Sequence, residues 1–346
     1  MKILLVGEFS LGSLGSSYSE AFKKLKYEVF EFDLTKEFNL VNPFNKYLNR
    51  LVGYLYYRVI NKILLEKINI IKPELTVIIK GACLFPATLK EIKSQHESLL
   101  FCFNPDNPFN TFIGASNDFI RHSIPFYDCY FIWGNFLIPK LIEVGAKKVE
   151  YLPFAYDPEL HYPVNLSVED KTIYESDIAF IGSYDKEREQ FLMNLTDYDL
   201  AIWGNGWNKL PLFSPLRKKW KGRDAIGKDF SKVCNASKII LNHVREQNGN
   251  AHNMKTFEIP ACRGFMLTKR TKEQCELFEE NKEIGCFETP DELIDKLERY
   301  LPDKQLRENA SLAAYNKVKE NTYEERVQVI LDIFTRFEDE VIVTKN

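Results

Sequence analysis

Short apolar runs alternate with longer amphipathic stretches along most of the chain. In the first half, runs of strand length lie at residues 2–7, 27–33, 75–80, 99–104, 127–133 and 148–152. Stretches with helical periodicity separate several of them, at 18–26, 43–72, 86–94 and 136–144. Strands that alternate with helices are typical of a parallel sheet with helices on both faces. The pattern therefore predicts an α/β domain over residues 1–155.

A second alternation of the same kind begins after a break in the pattern. Residues 156–174 have two prolines and no clear period, which predicts a linker between two domains. Strands are then expected at 177–182, 200–203, 238–244, 265–268 and 284–287. We expect a second α/β domain over residues 175–322. A final helix and tail are expected over 323–346, with apolar residues at Val327, Ile330, Leu331 and Phe334.

The stretch 43–72 is predicted as one long helix with a basic side and an apolar side. Its basic residues outnumber its acidic residue by five, and tyrosines are interleaved with them. Its apolar residues recur at three- and four-residue spacing: Leu48, Leu51, Val52, Leu55, Val59, Ile60, Ile63 and Leu64. A helix of this kind can lie peripherally on an anionic membrane surface, and it can equally pack its stripe against a sheet. Both interpretations stay open at this point.

The composition is that of an ordinary globular protein and argues against some functions. The net charge of −3 argues against binding to nucleic acid, which would call for a strong basic excess. The seven cysteines contain no CxxC pair and the five histidines are scattered, so no metal-ligand spacing is present. No apolar run reaches transmembrane length, and residues 2–7 are too few for the apolar region of a signal peptide. We therefore expect a cytoplasmic protein that needs no metal and no cofactor.

Residues 249–268 combine a polar loop, a short helix and a buried strand. Pro260 puts the predicted helix start near 256–258, because proline is tolerated in the first turn of a helix. Gly264 is expected to end the helix, and the apolar run after it has strand length. The predicted helix N-terminus therefore follows directly on a polar loop.

Four polar residues are expected to cluster at this helix N-terminus: Asn253, Lys255, Thr256 and Glu258. Free N–H groups and the positive end of the helix dipole suit phosphate there. The Glu258 carboxylate suits sugar hydroxyls, as the acidic residue of dinucleotide-binding folds does with ribose. The combination predicts a nucleotide-sugar pocket. The alternative is an ordinary loop–helix–strand connection with a capping glutamate.

Two further corners follow strands of the second domain and should reach the same edge of its sheet. Their residues are Gly182, Ser183, Gly204, Asn205 and Gly206. Small residues at such corners let backbone N–H groups approach a ligand. Arg188, one turn into the next helix, and Lys255 are the candidates to neutralise a diphosphate.

Two carboxylates follow strands of the first domain. Asp106 lies in the segment 104–108, just beyond a predicted strand, where open α/β sheets place ligands. It is a candidate general base or substrate anchor, and the alternative is an Asx-type turn between two prolines. Glu8, directly after the first strand, is the second candidate base.

Several of these segments together resemble one known family. They are DIAFIGSYDKER at 177–188, AIWGNGW at 201–207, ILN at 240–242, KTFEIPACRG at 255–264, EIGCF at 283–287 and NTYEER at 321–326. Over residues 152–331 the chain resembles the CgeB-like glycosyltransferases of the spore-maturation type. These belong to the wider GT-B group, with a C-terminal half like that of glycosyltransferase families 1 and 4.

The resemblance implies two Rossmann-like domains that face each other across a cleft, with the final helix crossing back to the first. It implies metal-independent transfer of a sugar from a nucleotide-diphosphate donor, bound by the C-terminal domain, to a sugar, glycan, lipid-linked or protein acceptor. Glu258 matches the glutamate that holds the donor ribose. Lys255 stands where the family usually has arginine, and Arg263 where a small residue is usual. Asp106, or Glu8 in second place, would be the base of an inverting reaction, and a retaining reaction would need none.

Three other functions stay open at this point. A nucleotide-sugar epimerase uses the same architecture. A nicotinamide-dependent oxidoreductase would need a G-x-G-x-x-G after the first strand, and GEFSLGSLG at residues 7–15 departs from it. A non-catalytic module that binds sugars or partners would keep the fold without turnover.

Overall fold

The chain divides into two units, each built on its own parallel β-sheet. A computed structural model describes residues 1–41, 49–110 and 116–345. The first unit comprises Met1–Pro153 and Tyr323–Asn346, and the second comprises Phe154–Thr322. Strands and helices alternate in both, so the α/β class expected from the apolar runs is confirmed.

The first sheet follows the predicted apolar runs closely. Its strands are β1 (Lys2–Gly7), β2 (Glu28–Asp33), β3 (Leu75–Ile79), β4 (Leu99–Asn104), β5 (Cys129–Ile132) and β6 (Val149–Tyr151). They pair in parallel in the order β2-β1-β3-β4-β5-β6. β3 is buried along its whole length, as expected of a strand covered on both faces. The order reverses between β1 and β3, which is the switch point of this sheet.

The first helix begins earlier than its sequence predicts. The helices of this part of the chain are α1 (Leu14–Lys24), α2 (Leu34–Val41), α3 (Asn49–Ile71), α4 (Pro86–Gln95), α5 (Asp118–Ser123) and α6 (Ile138–Glu143). Ser13 caps α1 by accepting from the N–H of Ser16, so residues 14–17 are helical rather than part of a loop. A side chain at Gly15 would lie 2.1 Å from the carbonyl oxygen of Glu8. The expected helix at 18–26 started too late because the serine-rich first turn has no apolar period.

The apolar stripe predicted for the stretch 43–72 is partly wrong. Residues 42–48 and the side chains of 49–52 lie outside the described part of the structure. In the described part of α3 the buried apolar residues are Ile60, Leu64, Ile68 and Ile71, at spacings of four, four and three. Leu55 and Val59 were expected in the stripe but are 57% and 43% exposed. None of the helices in the described residues is long and apolar enough to cross a membrane.

The last helix, α15 (Tyr323–Lys345), packs on the first unit, as the fold class requires. Tyr323 meets Tyr18 edge to face, with ring centroids 5.1 Å apart. The ammonium of Lys24 lies 2.8 Å from the Glu324 carboxylate. The four apolar positions expected to face the core are buried: Val327, Ile330, Leu331 and Phe334. The return of the final helix to the first unit is therefore confirmed.

The second sheet has the same plan with fewer strands in the described residues. They are β7 (Ser176–Ile181), β8 (Leu200–Trp203), β9 (Ser237–Asn242), β10 (Met266–Lys269) and β11 (Gly285–Phe287). They pair in parallel in the order β11-β10-β9-β7-β8. The strand order reverses between β7 and β9, so the switch point of this sheet lies there.

The segment 156–174, expected as a linker, lies within the second unit. The helices of this unit are α7 (Val168–Tyr174), α8 (Lys186–Met193), α9 (Leu216–Lys219), α10 (Lys228–Ala236), α11 (Lys255–Ala261), α12 (Lys272–Leu277), α13 (Pro290–Tyr300) and α14 (Lys304–Val318). Ser167 and Asp170 form a capping box that starts α7. The N–H of Tyr162 donates to the hydroxyl of Ser231 on α10, over 3.3 Å. The segment is therefore packed and hydrogen-bonded into this unit.

Candidate active site

The carboxyl edge of the second sheet gathers most of the residues singled out from the sequence. Gly182 and Ser183 follow β7, and His243 and Arg245 follow β9, so all four lie beside the switch point. Ligands of open α/β sheets bind in the crevice that such a switch point leaves between neighbouring strand ends. The Ser183 N–H and hydroxyl make no hydrogen bond with the described residues, which leaves both groups to a ligand.

Arg188 of α8 is held against the corner that follows β7. Its Nη1 donates to the carbonyl oxygen of Ser183 over 2.6 Å, and its Nε lies 3.4 Å from Asp185 Oδ2. Asp185 is also the N-cap of α8, because its Oδ1 accepts from the N–H of Arg188. Burial lowers the pKa of the Arg188 guanidinium. Its Nη2 makes no hydrogen bond within the described residues, so a fixed cation keeps a donor for an anion.

Sequence reasoning missed two charged or titratable neighbours of Arg188. Arg245 Nη1 lies 3.7 Å from Asp185 Oδ2, and His243 Nε2 lies 3.6 Å from Glu187 Oε1. Burial first, and the Arg188 guanidinium second, lower the pKa of His243 to about 4. The imidazole is therefore neutral at physiological pH. The signal available in the sequence was position alone, since both residues follow β9 at its carboxyl end.

The two glycine corners pack backbone against backbone. A side chain at Gly204, whose φ is +149°, would lie 2.0 Å from the carbonyl oxygen of Gly182. The N–H of Tyr184 donates to the carbonyl oxygen of Asn205 over 2.8 Å. The indole of Trp207 donates to the Gly182 carbonyl over 2.8 Å, which fixes the corner from the core side. The structure thus brings Gly182 and Gly204 together.

Gly206 and Asn205 occupy the outer part of this second corner. Gly206 has φ +84°, a left-handed conformation that glycine adopts without strain. The Asn205 amide donates to the Asp224 carboxylate over 2.9 Å. The side chain of Asn205 is therefore engaged within the loop.

Helix α11 begins one residue earlier than expected, and for a different reason. Pro260 is the sixth of its seven residues, so proline does not mark the first turn. A proline there removes an N–H from the last turn, and the helix ends one residue later, at Ala261. The helix start is instead set by the backbone of residues 253–254, whose carbonyls accept the first helical N–H groups.

Arg263, and not Gly264, takes the left-handed position that follows α11. Its φ is +59°, and its N–H donates to the carbonyl oxygen of Pro260 over 2.8 Å. Gly264 is required for space, because a side chain there would lie 3.2 Å from Cys234, Ile240 and Ile259. The helix does end before Gly264, but the predicted reason was wrong, because Arg263 takes the left-handed conformation that was expected of the glycine.

Glu258 is a buried carboxylate that has an ammonium and an imidazole nearby and no hydrogen bond within the described residues. Its Oε2 lies 3.7 Å from Lys255 Nζ, and its Oε1 lies 3.9 Å from His161 Nε2. The Lys255 ammonium also stands over the Phe230 ring, 5.4 Å from its centroid. Burial lowers the pKa of His161, whose Nδ1 accepts from the N–H of Asp157. His161 lies in the segment expected as a linker and was not foreseen as a neighbour of Glu258.

The side chains of Thr256 and Asn253 make most of their hydrogen bonds with other residues of the protein. Thr256 is fully buried, and its hydroxyl oxygen accepts from Gln274 over 2.9 Å and from the Asn253 N–H over 3.3 Å. The Asn253 amide nitrogen donates to Asn242 at the end of β9, over 2.8 Å. Its amide oxygen is buried without a hydrogen-bond partner in the described part of the chain. These contacts tie the loop to the sheet.

His252 anchors the same loop in the interior. It is fully buried, and its Nδ1 lies 2.7 Å from the Glu273 carboxylate. Its Nε2 accepts from the N–H of Phe154 over 3.1 Å. A nitrogen that accepts carries no proton, so the proton is on Nδ1 and is donated to Glu273. Both ring nitrogens of His252 are therefore hydrogen-bonded, which holds the loop before α11 in place.

The carboxyl edge of the first sheet holds the two candidate bases. Asp106 Oδ2 lies 2.6 Å from the ammonium of Lys80, which follows β3. The Asp106 N–H donates to the side chain of Asn104, so the Asx-type turn is present as well. Glu8 follows β1, is exposed, and accepts from the Ser10 hydroxyl over 2.6 Å. Glu8 follows β1 and Asp106 follows β4. Because β3 lies between these two strands, the strand ends are about 10 Å apart along the edge.

One cluster with metal-ligating atoms occurs in the described residues, and it lies apart from these sites. Cys275, Glu280 and Cys286 have ligand atoms within 4.8 Å of one another. The Glu280 carboxylate is already paired with Arg270 and Lys296, each at 2.9 Å. Burial raises the pKa of the Cys286 thiol, which opposes thiolate formation. The cluster is therefore poorly suited to a cation.

Two comparisons relate this geometry to known proteins. Residues 187–332, less than half of the chain, match a family model described as glycosyl transferase-like. A search of curated protein sequences gives no significant match. Similar solved structures include sucrose-phosphate synthase from Thermosynechococcus elongatus, with a TM-score of 0.74 at 10% identity over 98% of this chain and all of that one.

Other solved structures have the same fold. The HepE protein of Anabaena, solved with UDP and glucose, has a TM-score of 0.64 at 13% identity over 97% of this chain and all of its own. A protein provisionally assigned as a UDP-N-acetylglucosamine 2-epimerase, from Listeria monocytogenes, has a TM-score of 0.57 at 10% identity over 98% of this chain and 97% of its own. The protein has the α/β fold of the GT-B glycosyltransferases, which confirms the expected fold class. Most of the stretch that matches the glycosyl transferase-like family model lies in the second unit, and this match supports a glycosyltransferase.

Proposed function

We propose that the protein is a CgeB-like glycosyltransferase of hexosyltransferase type, which moves a sugar from a nucleotide-diphosphate donor to an acceptor without a metal. The observation that carries the proposal is the state of Glu258, a buried carboxylate without a hydrogen bond in the described residues. Burying a charge is costly unless it gains partners. Two ribose hydroxyls would supply those partners. Glu258 lies inside the domain that matches the glycosyl transferase-like family.

The leaving diphosphate would be stabilised by cations fixed before the reaction. Arg188 is held by Ser183 and Asp185 and keeps Nη2 for a ligand. Lys255 would act as a second cation beside the ribose, as a point charge without the bidentate fork of arginine. Preorganised charge of this kind acts in the transition state without reorganisation during the reaction.

We propose that the carboxyl edge of the first sheet takes the acceptor. Asp106 would remove the proton from the attacking hydroxyl if the reaction inverts configuration, with Glu8 as the second candidate. The Lys80 ammonium, 2.6 Å away, balances the Asp106 charge and would also position it. In a retaining reaction Asp106 would only bind the acceptor, which is a sugar, a glycan, a lipid-linked sugar or a protein.

The proposal is tested first by thermal unfolding with a panel of nucleoside diphosphates and nucleotide sugars, all with EDTA. A ligand that binds only the folded state stabilises it by about 2.7 kcal/mol at a hundredfold excess over Kd. We expect one nucleotide class to raise the Tm in the presence of EDTA. A requirement for a divalent cation would contradict metal independence. No shift with any nucleotide would favour the non-catalytic module.

A nucleotide-sugar epimerase is the second candidate function, because a protein assigned to that activity has the same fold. An epimerase converts its nucleotide sugar without an acceptor, whereas a transferase without acceptor gives at most slow hydrolysis. Incubation of the protein with the stabilising nucleotide sugar alone, followed by analysis of the sugar, separates the two. A new epimer still attached to the nucleotide would overturn the transferase.

We further propose that α3 contacts an anionic membrane surface from the cytoplasmic side. Tyr54, Leu55 and Val59 are exposed on α3, and Arg58 and Lys62 lie beside them. An amphipathic helix with basic flanks binds anionic lipid through both features. Pelleting with phosphatidylglycerol vesicles at low salt is expected to retain the protein, and Leu55→Ser with Val59→Ser to release it. No retention on these vesicles would remove the proposal.

A further inference from the structure

A recess of the second unit lies at the amino edge of its sheet, opposite the candidate active site. Its volume is about 380 Å³. It is lined from the start of β9, the segment between α11 and β10, and the first half of α14. Strand ends at this edge carry none of the candidate donor residues. The cavity is therefore a separate site in the same unit.

The residues described as lining this cavity are predominantly basic where they are charged. Its charged lining consists of one carboxylate, that of Glu308, and four cations, those of Lys238, Arg263, Lys304 and Arg307. Lys238 Nζ lies 2.7 Å from Asp177 and Lys304 Nζ lies 3.5 Å from Glu308, so both ammonium groups have a partner. The two arginines form no ion pair within the described residues, although the carboxylates of Asp303, Glu308 and Asp177 lie near enough to Arg307 to raise its pKa against the effect of burial.

Arg307 is the best-defined group of this cavity. The residue is only 9% exposed, which makes it one of the few buried charges of the unit. Its Nη1 donates to the carbonyl oxygens of Tyr300 and Leu301, at the end of α13. Its Nε and Nη2 make no hydrogen bond within the described residues. The guanidinium therefore has three N–H groups left over, one on Nε and two on Nη2, that a ligand in the cavity can accept from.

Arg263 contributes a second guanidinium at a strained backbone position. Its φ of +59° is a conformation that glycine adopts freely and other residues avoid. Its side chain is exposed and makes no hydrogen bond or ion pair with the described residues. A glycine would adopt this φ without strain, so the backbone does not require an arginine here.

We propose that this cavity is an anion site for a small phosphate-bearing molecule. Guanidinium groups match the geometry of phosphate oxygens through pairs of parallel hydrogen bonds. A volume of about 380 Å³ lies within the range of small-ligand sites. Arg307 provides the fixed inner donors and Arg263 the outer ones, with Lys238 and Lys304 at the rim. The proposal does not depend on the proposed transferase function, because it uses other residues.

The test is calorimetric titration of the full-length protein with inorganic pyrophosphate, and then with glucose 6-phosphate, at low ionic strength. Arg263→Glu is expected to weaken binding by at least about tenfold, since it replaces an attractive charge-assisted contact by repulsion. Lys272→Glu makes the same charge change on an exposed lysine of α12 and should leave binding unchanged. Binding of glucose 6-phosphate, in addition to the binding of pyrophosphate, would identify a phosphorylated sugar as the ligand class.

Two variants keep this test independent of folding and of the candidate active site. Arg263→Gly removes the side chain while relieving the backbone, so it should weaken binding without lowering the Tm. Arg188→Ala removes the diphosphate contact proposed for the candidate active site, so the pyrophosphate binding that remains in this variant reports the cavity. Loss of pyrophosphate binding in Arg188→Ala with full binding in Arg263→Glu would overturn the proposal, and so would no binding to the wild-type protein.

Discussion

Lys255 and Glu258 lie one helical turn apart on α11, with Nζ and Oε2 separated by 3.7 Å. This distance is too long for a strong hydrogen bond, so the ammonium offsets the buried charge without occupying the carboxylate's acceptor sites. His161 stands at a similar distance on the other oxygen. The arrangement leaves a fixed carboxylate ready to accept hydrogen bonds from a ligand that carries hydroxyl groups.

Replacing Glu258 by alanine is therefore expected to impair donor binding. Hydrogen bonds to a charged group contribute about 1.5–3 kcal/mol each, so the KM for the nucleotide sugar should rise by about 10- to 100-fold. Steady-state kinetics at fixed acceptor measures the change. Glu276→Ala, on an exposed position of α12, is the matched control and should behave as wild type.

Asp106→Asn tests the proposed role of the first unit. A general base contributes about 10²- to 10⁴-fold, so kcat should fall by that factor while the Tm shift caused by the donor stays unchanged. Asp118→Asn, at an exposed position of α5, controls for loss of a surface carboxylate. The stereochemistry of the product, read by NMR, tells whether a base is needed.

The variant Lys80→Met shows how a fall in kcat of the Asp106→Asn variant is to be interpreted. If Asp106 acts only through its 2.6 Å pair with Lys80, then Lys80→Met should reproduce the full loss. If Asp106 is the base, Lys80→Met should cost less than Asp106→Asn. An inverting enzyme in which Asp106→Asn keeps full kcat would remove Asp106 from the mechanism and leave Glu8 to be tested.

The buried imidazole of His243 makes stability depend on pH. Its pKa is lowered to about 4 in the folded protein, mainly by burial, against an ordinary value near 6.5 in the unfolded chain. Between these values the unfolded chain binds more protons, so the free energy of unfolding falls as the pH falls from 6.5 to 4. Above 6.5 the contribution is fully present, and it amounts to about 3 kcal/mol at most.

His243→Gln isolates this effect from the carboxylates that titrate in the same range. Urea unfolding at several pH values should show a shallower acid loss for the variant than for the wild type, with the two curves converging toward pH 4. Parallel curves for the two proteins would show that His243 is not held neutral. His122→Gln, at an exposed position of α5, serves as the control.

The strands and the fold class could be predicted because burial on both faces of a parallel sheet leaves a direct mark on the sequence. Runs such as residues 75–79, LTVII, are apolar except for one threonine, and they became strands at nearly the expected bounds. Helix bounds were harder where the first turn is polar. The serines before Tyr18 cap and begin α1 through side-chain and backbone hydrogen bonds, which an apolar period does not record.

The residues around the candidate site were foreseen only in part, because their proximity is set by strand order. Glu258 and Arg188 were found from their positions after loops and strands. His161 was not, since its approach to Glu258 depends on how the segment 156–174 packs on α10. Arg245 was not either, because its partner Asp185 is brought to it by the pairing of β7 with β9.

Gly264 offers a test of packing that is independent of function. A methyl group there would lie 3.2 Å from Cys234, Ile240 and Ile259, which are all buried, so these neighbours would have to shift to make room for it. Overpacking of this kind typically costs about 1–3 kcal/mol, so Gly264→Ala should lower the free energy of unfolding by that amount.

Gly53→Ala, in α3, is the matched control, because a methyl group there meets nothing within 4 Å. The control should be neutral or stabilising by up to about 1 kcal/mol, since alanine favours helix over glycine. Equal stability of the two variants in urea unfolding would show that Gly264 is not closely packed.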